Sequence, residues 1–284
     1  MQDNLFIMKR FLFALGALML LLTSCGQTNP EGKTKLMKVN LGFALTKVTD
    51  TAFEYGDEAG VFMDGCYDNI RMSYDGHWTA AQQMYWPDKE TPQDFYAYAP
   101  YTAGAALSSL TFQTKSDQSA QADYKASDLV RGELKQVAPT EDLINIPTSH
   151  ILSNMLIRVA PGDGFTAESL AASTISVQVM NLKTAAFVNL RSGSIAATGD
   201  ATTVKPYYNG EYWRAVVVPQ TVADGSQLIV VTVDGVPYTL KRGFTFLSGK
   251  RHTFTVTVNR TTSGINIGIG DWDDDGTDYG GEAE

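Results

Sequence analysis

Residues 94–101 read DFYAYAPY and form the densest aromatic stretch of the chain. In a β-strand, successive side chains point to opposite faces, which places Tyr96 and Tyr98 on one face and Phe95 and Ala97 on the other. Such an aromatic stripe is compatible with a sugar-binding platform and with the packed core of a β-sandwich. We favour the core, because large aromatic side chains supply much of the buried area of protein cores.

Upstream of this stretch, two further patterns indicate β-structure. Val39, Leu41, Phe43 and Leu45 alternate with small or polar residues, which is the period of a strand with one apolar face. Residues 72–79 read MSYDGHWT, in which an Asp-Gly turn lies between β-forming residues. This pattern predicts a β-hairpin.

Short strand candidates punctuated by turn signals continue through the rest of the chain. The candidates are 53–62, 107–113, 144–146, 155–159, 175–179, 187–190, 213–218, 228–233, 238–240, 254–258 and 265–269, and the turns are centred on Gly164, Gly193, Gly210, Gly225, Gly235 and Gly249. Residues 116–132 are polar and loop-like with a helical turn at their end, and 167–172 could hold a short helix. This spacing indicates an all-β fold of sandwich or barrel architecture, which we divide into two domains, residues 36–150 and 151–270.

The composition is that of a globular protein with a net negative charge. Hydrophobic residues make up 44% and charged residues 19% of the 284 residues, and the formal net charge is −9. Phosphate backbones are bound by clustered Lys and Arg, so we expect no nucleic-acid partner.

The N-terminus has the form of an export signal. Met8-Lys9-Arg10 supplies a basic start, residues 11–22 are almost uniformly apolar, and Leu22-Thr23-Ser24 precedes Cys25. The last four residues resemble a bacterial lipobox, which predicts a signal peptide at 1–24, lipidation of Cys25 and a flexible tether over 25–35. A transmembrane helix and a plain secretion signal are the alternatives, but the apolar run is short for a span of about 20 residues.

Signatures of common catalysts are missing from the sequence. The three histidines, His77, His150 and His252, lie far apart and show no zinc-binding spacing, and there is no nucleophile elbow or phosphate-binding glycine loop. We therefore expect packing or hydrogen-bonding roles for the histidines, no cofactor and no enzymatic activity.

The acidic C-terminus, residues 271–284, contains one weak metal motif. Asp271, Asp273, Asp275 and Glu282 match the acidic positions of a calcium loop, with Gly276 at the sharp turn. No helices are predicted to flank it, so a solvated tail is the main expectation and calcium the minor one.

Taken together, the sequence resembles the fimbrillin family, the pilin-like lipoproteins of Bacteroidetes. Elements typical of the family occur in its order across nearly the whole chain: 53–62, Tyr85-Trp86-Pro87, 94–101, Asp117-Gln118-Ser119, Ser127-Asp128-Leu129, 149–153, Val218-Pro219-Gln220, Ser248-Gly249-Lys250 and 269–272. The resemblance implies two sandwich domains of transthyretin-like or immunoglobulin-like type. It also implies export as an outer-membrane lipoprotein to the cell surface and incorporation into a fimbrium with other subunits.

The resemblance further implies maturation by loss of the first strand. In the family a protease cuts the loop after this strand, and a strand from a neighbouring subunit fills the groove that opens. Here the displaced strand would be 36–45, with Val39, Leu41, Phe43 and Leu45 in the groove, and the cut would fall near Lys47. The best-known members carry arginine there, so Lys47 requires a different or broader protease.

The chain also departs from the family at its C-terminus. Stalk subunits carry a donor strand there, whereas this chain has an acidic, glycine-rich tail after Ile269. The sequence therefore favours a tip or accessory subunit that mediates adhesion. The alternative is a monomeric surface lipoprotein that binds a glycan or a host protein through exposed aromatic residues such as Tyr96 and Tyr98.

Overall fold

A computed structural model describes residues 35–43, 52–261 and 264–269 and shows an almost entirely β protein. The strands of the first half are β1 (Lys38–Phe43), β2 (Glu58–Met63), β3 (Tyr67–Tyr74), β4 (Trp78–Ala80), β5 (Gln93–Ala99), β6 (Leu110–Gln113), β7 (Val130–Val137) and β8 (Leu143–His150). One short helix, α1 (Gln121–Ala126), lies between β6 and β7.

The second half has the same short-strand character. Its strands are β9 (Ser153–Pro161), β10 (Ile175–Asn189), β11 (Ser194–Val204), β12 (Tyr207–Tyr208), β13 (Trp213–Val217), β14 (Gln220–Val222), β15 (Gln227–Val233), β16 (Val236–Lys241), β17 (Phe244–Phe246), β18 (Arg251–Thr261) and β19 (Gly264–Ile269). The helix α2 (Ala167–Ala171) follows β9, and Thr166 and Ser169 form a capping box at its start. The all-β prediction is confirmed.

Three main sheets organise these strands. A seven-stranded sheet has the order β1-β8-β7-β5-β2-β3-β4. Two five-stranded sheets have the paths β11-β10-β15-β16, with β6 added to β10, and β12-β13-β9-β18-β19. The buried residues between the two five-stranded sheets, such as Met155, Val179, Val231 and Phe254, form one core of the second half.

The strand β5 is buried on both faces. Phe95 and Ala97 pack into the core of the first half, whereas Tyr96 and Tyr98 pack into a third cluster that joins the two halves. The alternation predicted from residues 94–101 is therefore confirmed, and so is the core interpretation. Tyr96 is 1% and Tyr98 0% exposed, which excludes them as a sugar-binding platform.

The junction between the halves contains several of the elements that carried the family resemblance. The buried side chain of Gln118 donates to the Val216 carbonyl at 2.9 Å and accepts from the Val216 N–H at 2.8 Å, as a neighbouring strand would. Nearby, the Ser248 hydroxyl donates to the Ile151 carbonyl at 2.7 Å. Because β6 also pairs with β10, contacts between the halves are extensive, and the division at residue 150 stays a prediction.

Several elements differ from the sequence prediction. The candidates 175–179 and 187–190 are two parts of one strand, β10, which is continuous through two register shifts. The strand β7 begins inside the segment 116–132, which was expected to be loop-like, and continues beyond it. It was not predicted, because the charged residues Arg131, Glu133 and Lys135 obscure the apolar–polar alternation of a strand. The strand β11 was also missed, since it is an exposed edge strand built mainly from Ala, Thr and Ser.

Candidate functional site

The first strand, β1, lies at one end of the seven-stranded sheet. It pairs in parallel with β8, with Val39 opposite Ile144, Leu41 opposite Ile146 and Phe43 opposite Thr148. Val39 and Leu41 are buried in the core of the first half, together with Met37 just before the strand. The alternation read from the sequence therefore selects the face of β1 that enters the core.

The segment that leads into β1, and the side of β1 that faces away from β8, are held by other parts of the first half. The Met37 N–H donates to the Met84 carbonyl at 2.9 Å, and the Trp86 N–H donates to the Lys35 carbonyl at 3.1 Å. The indole N–H of Trp78, on β4, donates to the Leu41 carbonyl at 3.0 Å. Since β1 and β4 are the two edge strands of this sheet, this contact shows that the sheet curls until its two edges meet.

We call the slot that β1 occupies the β1 groove, and its walls are Ile144, Ile146, Trp78, Met84 and Trp86. All five wall residues are buried. Burying an apolar side chain of this size is worth about 1.5–3 kcal/mol, so Val39 and Leu41, together with Met37 just before the strand, contribute several kcal/mol. An empty groove would expose a comparable apolar surface and cost a large share of the about 5–15 kcal/mol of stability of a small domain, which a replacement strand would restore.

The outer face of β1 is polar. The Asn40 amide donates to the Asn145 side-chain oxygen at 2.8 Å, across the β1–β8 ladder. From the buried side of β8, the Thr148 hydroxyl also donates to the Gly42 carbonyl at 3.1 Å. These contacts fix the register of β1 without burying further apolar surface.

Several residues singled out in the sequence lie outside the described residues. They are Cys25, Leu45, Lys47, Asp271, Asp273, Asp275 and Glu282. Lipidation, the cleavage position and the calcium motif therefore stay predictions. Among the described residues, no helix is long and apolar enough to cross a membrane.

The last described strand, β19, forms a hairpin with β18. Its register places Ile265 opposite Arg260, Ile267 opposite Val258 and Ile269 opposite Val256. The prediction of a strand at 265–269 is thus confirmed, and β19 forms one edge of its sheet.

The histidines have structural contacts in the described part of the chain. The His77 ring lies 3.0 Å from Asp75, the His150 ring lies 2.6 Å from Asp128, and the His252 ring accepts from the Leu247 N–H at 3.2 Å. No group of three or more His, Cys, Asp or Glu side chains within the described ranges is arranged to hold a metal ion.

A cleft of about 840 Å³ lies where the two halves meet. Tyr101, Tyr124, Asp128, Asn154 and Arg251 are among the residues that line it. The cleft carries charges of both signs, so its lining gives no preference for a strongly charged ligand.

Sequence reasoning identified the strand of this site but not its walls. The roles of Trp78 and Trp86 depend on the curl of the sheet, which brings sequence-distant ends together. Both tryptophans nevertheless imply a specific contact, because a buried indole N–H needs a hydrogen-bond acceptor. Trp86 donates to the Thr140 carbonyl at 2.9 Å, and Trp78 donates to β1 itself.

The model of a family described as "Fimbrillin-like" matches residues 46–272. The chain belongs to the fimbrillin-like family. A relative from Bacteroides uniformis, named "Putative fimbrium subunit Fim1C", is 26% identical over 250 residues, which cover 80% of this chain and 81% of that protein.

Solved structures share the fold of this fimbrillin-like protein. A structure described as a "putative cell adhesion protein" from Bacteroides uniformis superposes with a TM-score of 0.64 at 22% identity, covering 86% of this chain and all (100%) of the other. One of the same description from Bacteroides ovatus gives a TM-score of 0.62 at 15% identity, covering 84% and 96%. At these identities the likeness concerns the fold.

Proposed function

We propose that this fimbrillin-like protein is a cell-surface fimbrial subunit that joins neighbouring subunits by strand exchange at the β1 groove and contributes to adhesion. The observation that carries the proposal is the position of β1. It is an N-terminal strand whose apolar side chains fill a slot between β8 and the segment around Met84–Trp86. Removing β1 would leave backbone groups and apolar pockets of the kind that an incoming strand can pair with and fill.

Within this proposal, the lipid on Cys25 anchors the precursor to the outer membrane. A cut near Lys47 separates lipid, tether and β1 from the rest of the subunit. The acidic tail after Ile269 lacks the alternating apolar residues that would fill a groove, which favours a tip or accessory position. The role is structural and adhesive rather than catalytic, in line with the histidine contacts within the fold.

The test is controlled removal of β1. Replacing Lys47 and its neighbours with a specific protease site allows the purified protein to be cut between β1 and β2. We expect the cut protein to change from a monomer to a larger assembly in light scattering when other fimbrial subunits are present.

A locked variant supplies the control. Asn40 and Asn145 are directly opposed on the outer face, so Asn40→Cys with Asn145→Cys should allow a disulfide that holds β1 on β8. The locked protein should stay monomeric after cutting and assemble only after reduction. Assembly that proceeds equally in the locked, oxidised protein, or no assembly in either form, would contradict strand exchange.

A further inference from the structure

The strand β11 forms a free edge of its sheet. Among the described residues, β10 is the only strand that pairs with it. In an antiparallel ladder, alternate residues of an edge strand direct their N–H and C=O groups away from the sheet. These outward groups can pair with one further strand, which makes the edge a potential contact site for another chain.

The first part of β11 lacks the features that commonly protect an edge strand. Residues 194–198 read SIAAT, with no proline and no charge, and they pair with β10 in unbroken register. Protection returns after Thr198, where an extra residue in β11 forms a bulge at Gly199, which has φ +78°. Asp200 then adds a charge. The unprotected edge is therefore the five-residue segment 194–198.

Both faces of this segment leave room for a neighbouring strand. On the outer face, the small residues Ser194, Ala196 and Thr198 are exposed. On the inner face, Ile195 and Ala197 pack against the buried cluster that joins the two halves, yet both remain partly exposed. A strand laid along this edge would cover the remaining apolar surface of Ile195 and Ala197.

The neighbouring strand β10 makes the outer face apolar at the midpoint of the segment. Phe187 is 46% exposed and lies directly opposite Ala196 in the β10–β11 ladder. On its other side, Phe187 lies opposite Thr111 of β6. The Phe187 ring and the Ala196 methyl group carry no charge that would repel a second chain.

The segment is complementary to itself in the antiparallel direction. When a two-fold axis passes through Ala196, each Ala196 faces the Ala196 of the second copy. Ile195 then faces Ala197 on the inner side, and Ser194 faces Thr198 on the outer side. Apolar residues meet apolar ones, hydroxyls meet hydroxyls, and no like charges are opposed. A two-fold contact requires this kind of match, because both copies use the same patch.

We propose that residues 194–198 pair with the same residues of a second copy of this chain, which joins two subunits edge to edge about an axis at Ala196. Five paired residues bury less than the about 800 Å² per partner of a stable interface, so the dimer is weak and dilute protein is monomeric. The contact lies in the second half and does not involve the β1 groove.

A weak contact of this kind gains strength by repetition. Subunits arrayed along a fimbria would present the edge many times, so that many weak pairs hold two fimbriae side by side. This consequence rests on the proposed fimbrial role, whereas the pairing of two purified chains does not.

Sedimentation of the uncut protein tests the pairing, so the result does not depend on strand exchange. The concentration series extends to about 1 mM, where a weak complex is populated. We expect a monomer–dimer equilibrium whose dissociation constant rises at least tenfold in Ala196→Lys, because two like charges then face each other at the axis. Thermal unfolding should be unchanged, since Ala196 is exposed.

Val236→Lys is the matched control. Val236 is 43% exposed and lies on β16, the opposite edge strand of the same sheet, so this variant should dimerise like the wild type. A protein that stays monomeric at every concentration would overturn the proposal. A dimer that Ala196→Lys leaves intact, or that both lysine variants weaken equally, would overturn it as well.

Cysteine cross-linking tests the register of the pairing. Ala196→Cys places two thiols opposite each other, so mild oxidation should link two chains through residue 196, as identified by mass spectrometry of the linked peptide. In Ser194→Cys the two thiols lie about 14 Å apart along the strands, too far for a disulfide. The wild-type protein measures the background from the native cysteines. Equal linkage in both variants, or no linkage through residue 196, would contradict the proposed pairing.

Discussion

The ion pair between Asp64 and Arg191 shows how single residues tie the two halves together. Asp64 follows β2 in the first half, and Arg191 follows β10 in the second. Both terminal guanidinium nitrogens of Arg191 donate to the Asp64 carboxylate, Nη1 to Oδ2 and Nη2 to Oδ1, the latter at 2.7 Å. The hydrogen bond from Arg191 holds the pKa of the Asp64 carboxyl below its ordinary value of 3.8, against the opposing effect of partial burial. Arg191 also lies over the ring of Tyr96, which belongs to the buried cluster that joins the two halves. We call this cluster, with Phe62, Tyr96, Tyr98, Leu110, Val188 and Val216 among its members, the joint core.

Replacing the Asp64 carboxylate should make the free energy of unfolding depend less on pH in the acidic range. Because the pKa of Asp64 is lowered in the folded state, its contribution is present above pH 3.8 and is lost as the pH falls through the folded-state value. We expect Asp64→Asn to reduce the free energy of unfolding by about 1 kcal/mol at pH 7, the upper end for a partly exposed pair. Denaturant titrations at several pH values measure this difference.

The difference between wild type and Asp64→Asn should shrink below pH 3.8. Asp68→Asn is the control, since Asp68 is exposed at the start of β3, just after the turn that contains Asp64. An unchanged stability at pH 7, or a difference that persists undiminished in strong acid, would show that the pair does not contribute in this way.

At the scale of elements, β1 packs tightly into the first half but is connected to it by a single stretch of chain. Its inward residues fill the β1 groove, yet it is joined to the rest of the first half only through the segment that follows Phe43. Its polar outer face adds a hydrogen bond at Asn40, and the buried Thr148 hydroxyl adds one to the Gly42 carbonyl. Packing of the inner face therefore decides how firmly the strand is held.

Shortening one inward side chain should weaken that hold. Leu41 is 3% exposed, and truncation of a buried leucine costs about 2–4 kcal/mol, so Leu41→Ala should destabilise the intact protein by that amount. After a cut near Lys47, the same change should speed release of the strand by roughly 100-fold, equivalent to about 2.7 kcal/mol. Lys38→Ala, at an exposed position of β1, should change stability by no more than about 0.5 kcal/mol. Equal release rates for both variants would argue against a groove held by apolar packing.

The sequence allowed the position and inward face of β1 to be predicted, because alternation is local information. It also allowed the two buried faces of β5 and the hairpin from β3 to β4 to be predicted. The parallel pairing of β1 with β8 and the meeting of β1 with Trp78 depend on contacts between distant segments, which no local pattern encodes. The strand β7 was missed for a related reason, since Arg131 pairs with Glu133 along the same strand and Lys135 lies over the Tyr96 ring instead of facing solvent alone.

At the scale of the whole molecule, the joint core keeps the halves together independently of β1. Its members include Tyr98 and Leu110 from the first half and Val188 and Val216 from the second, and none belongs to β1. Gln118 adds paired hydrogen bonds to Val216 across the same junction. Loss of β1 should therefore open the groove of the first half while the junction stays formed, which a subunit that accepts a strand from a neighbour requires.

The most direct test of this account is whether the vacated groove binds a strand again. The protein is cut near Lys47, β1 is removed, and a fluorescent peptide of residues 36–46 is titrated while its anisotropy is measured. We predict saturable binding at one peptide per protein, lost when Val39 and Leu41 of the peptide are both replaced by Asp, and no binding to the uncut protein. Binding that tolerates both aspartates, equal binding to the uncut protein, or no binding to the cut protein would contradict the account.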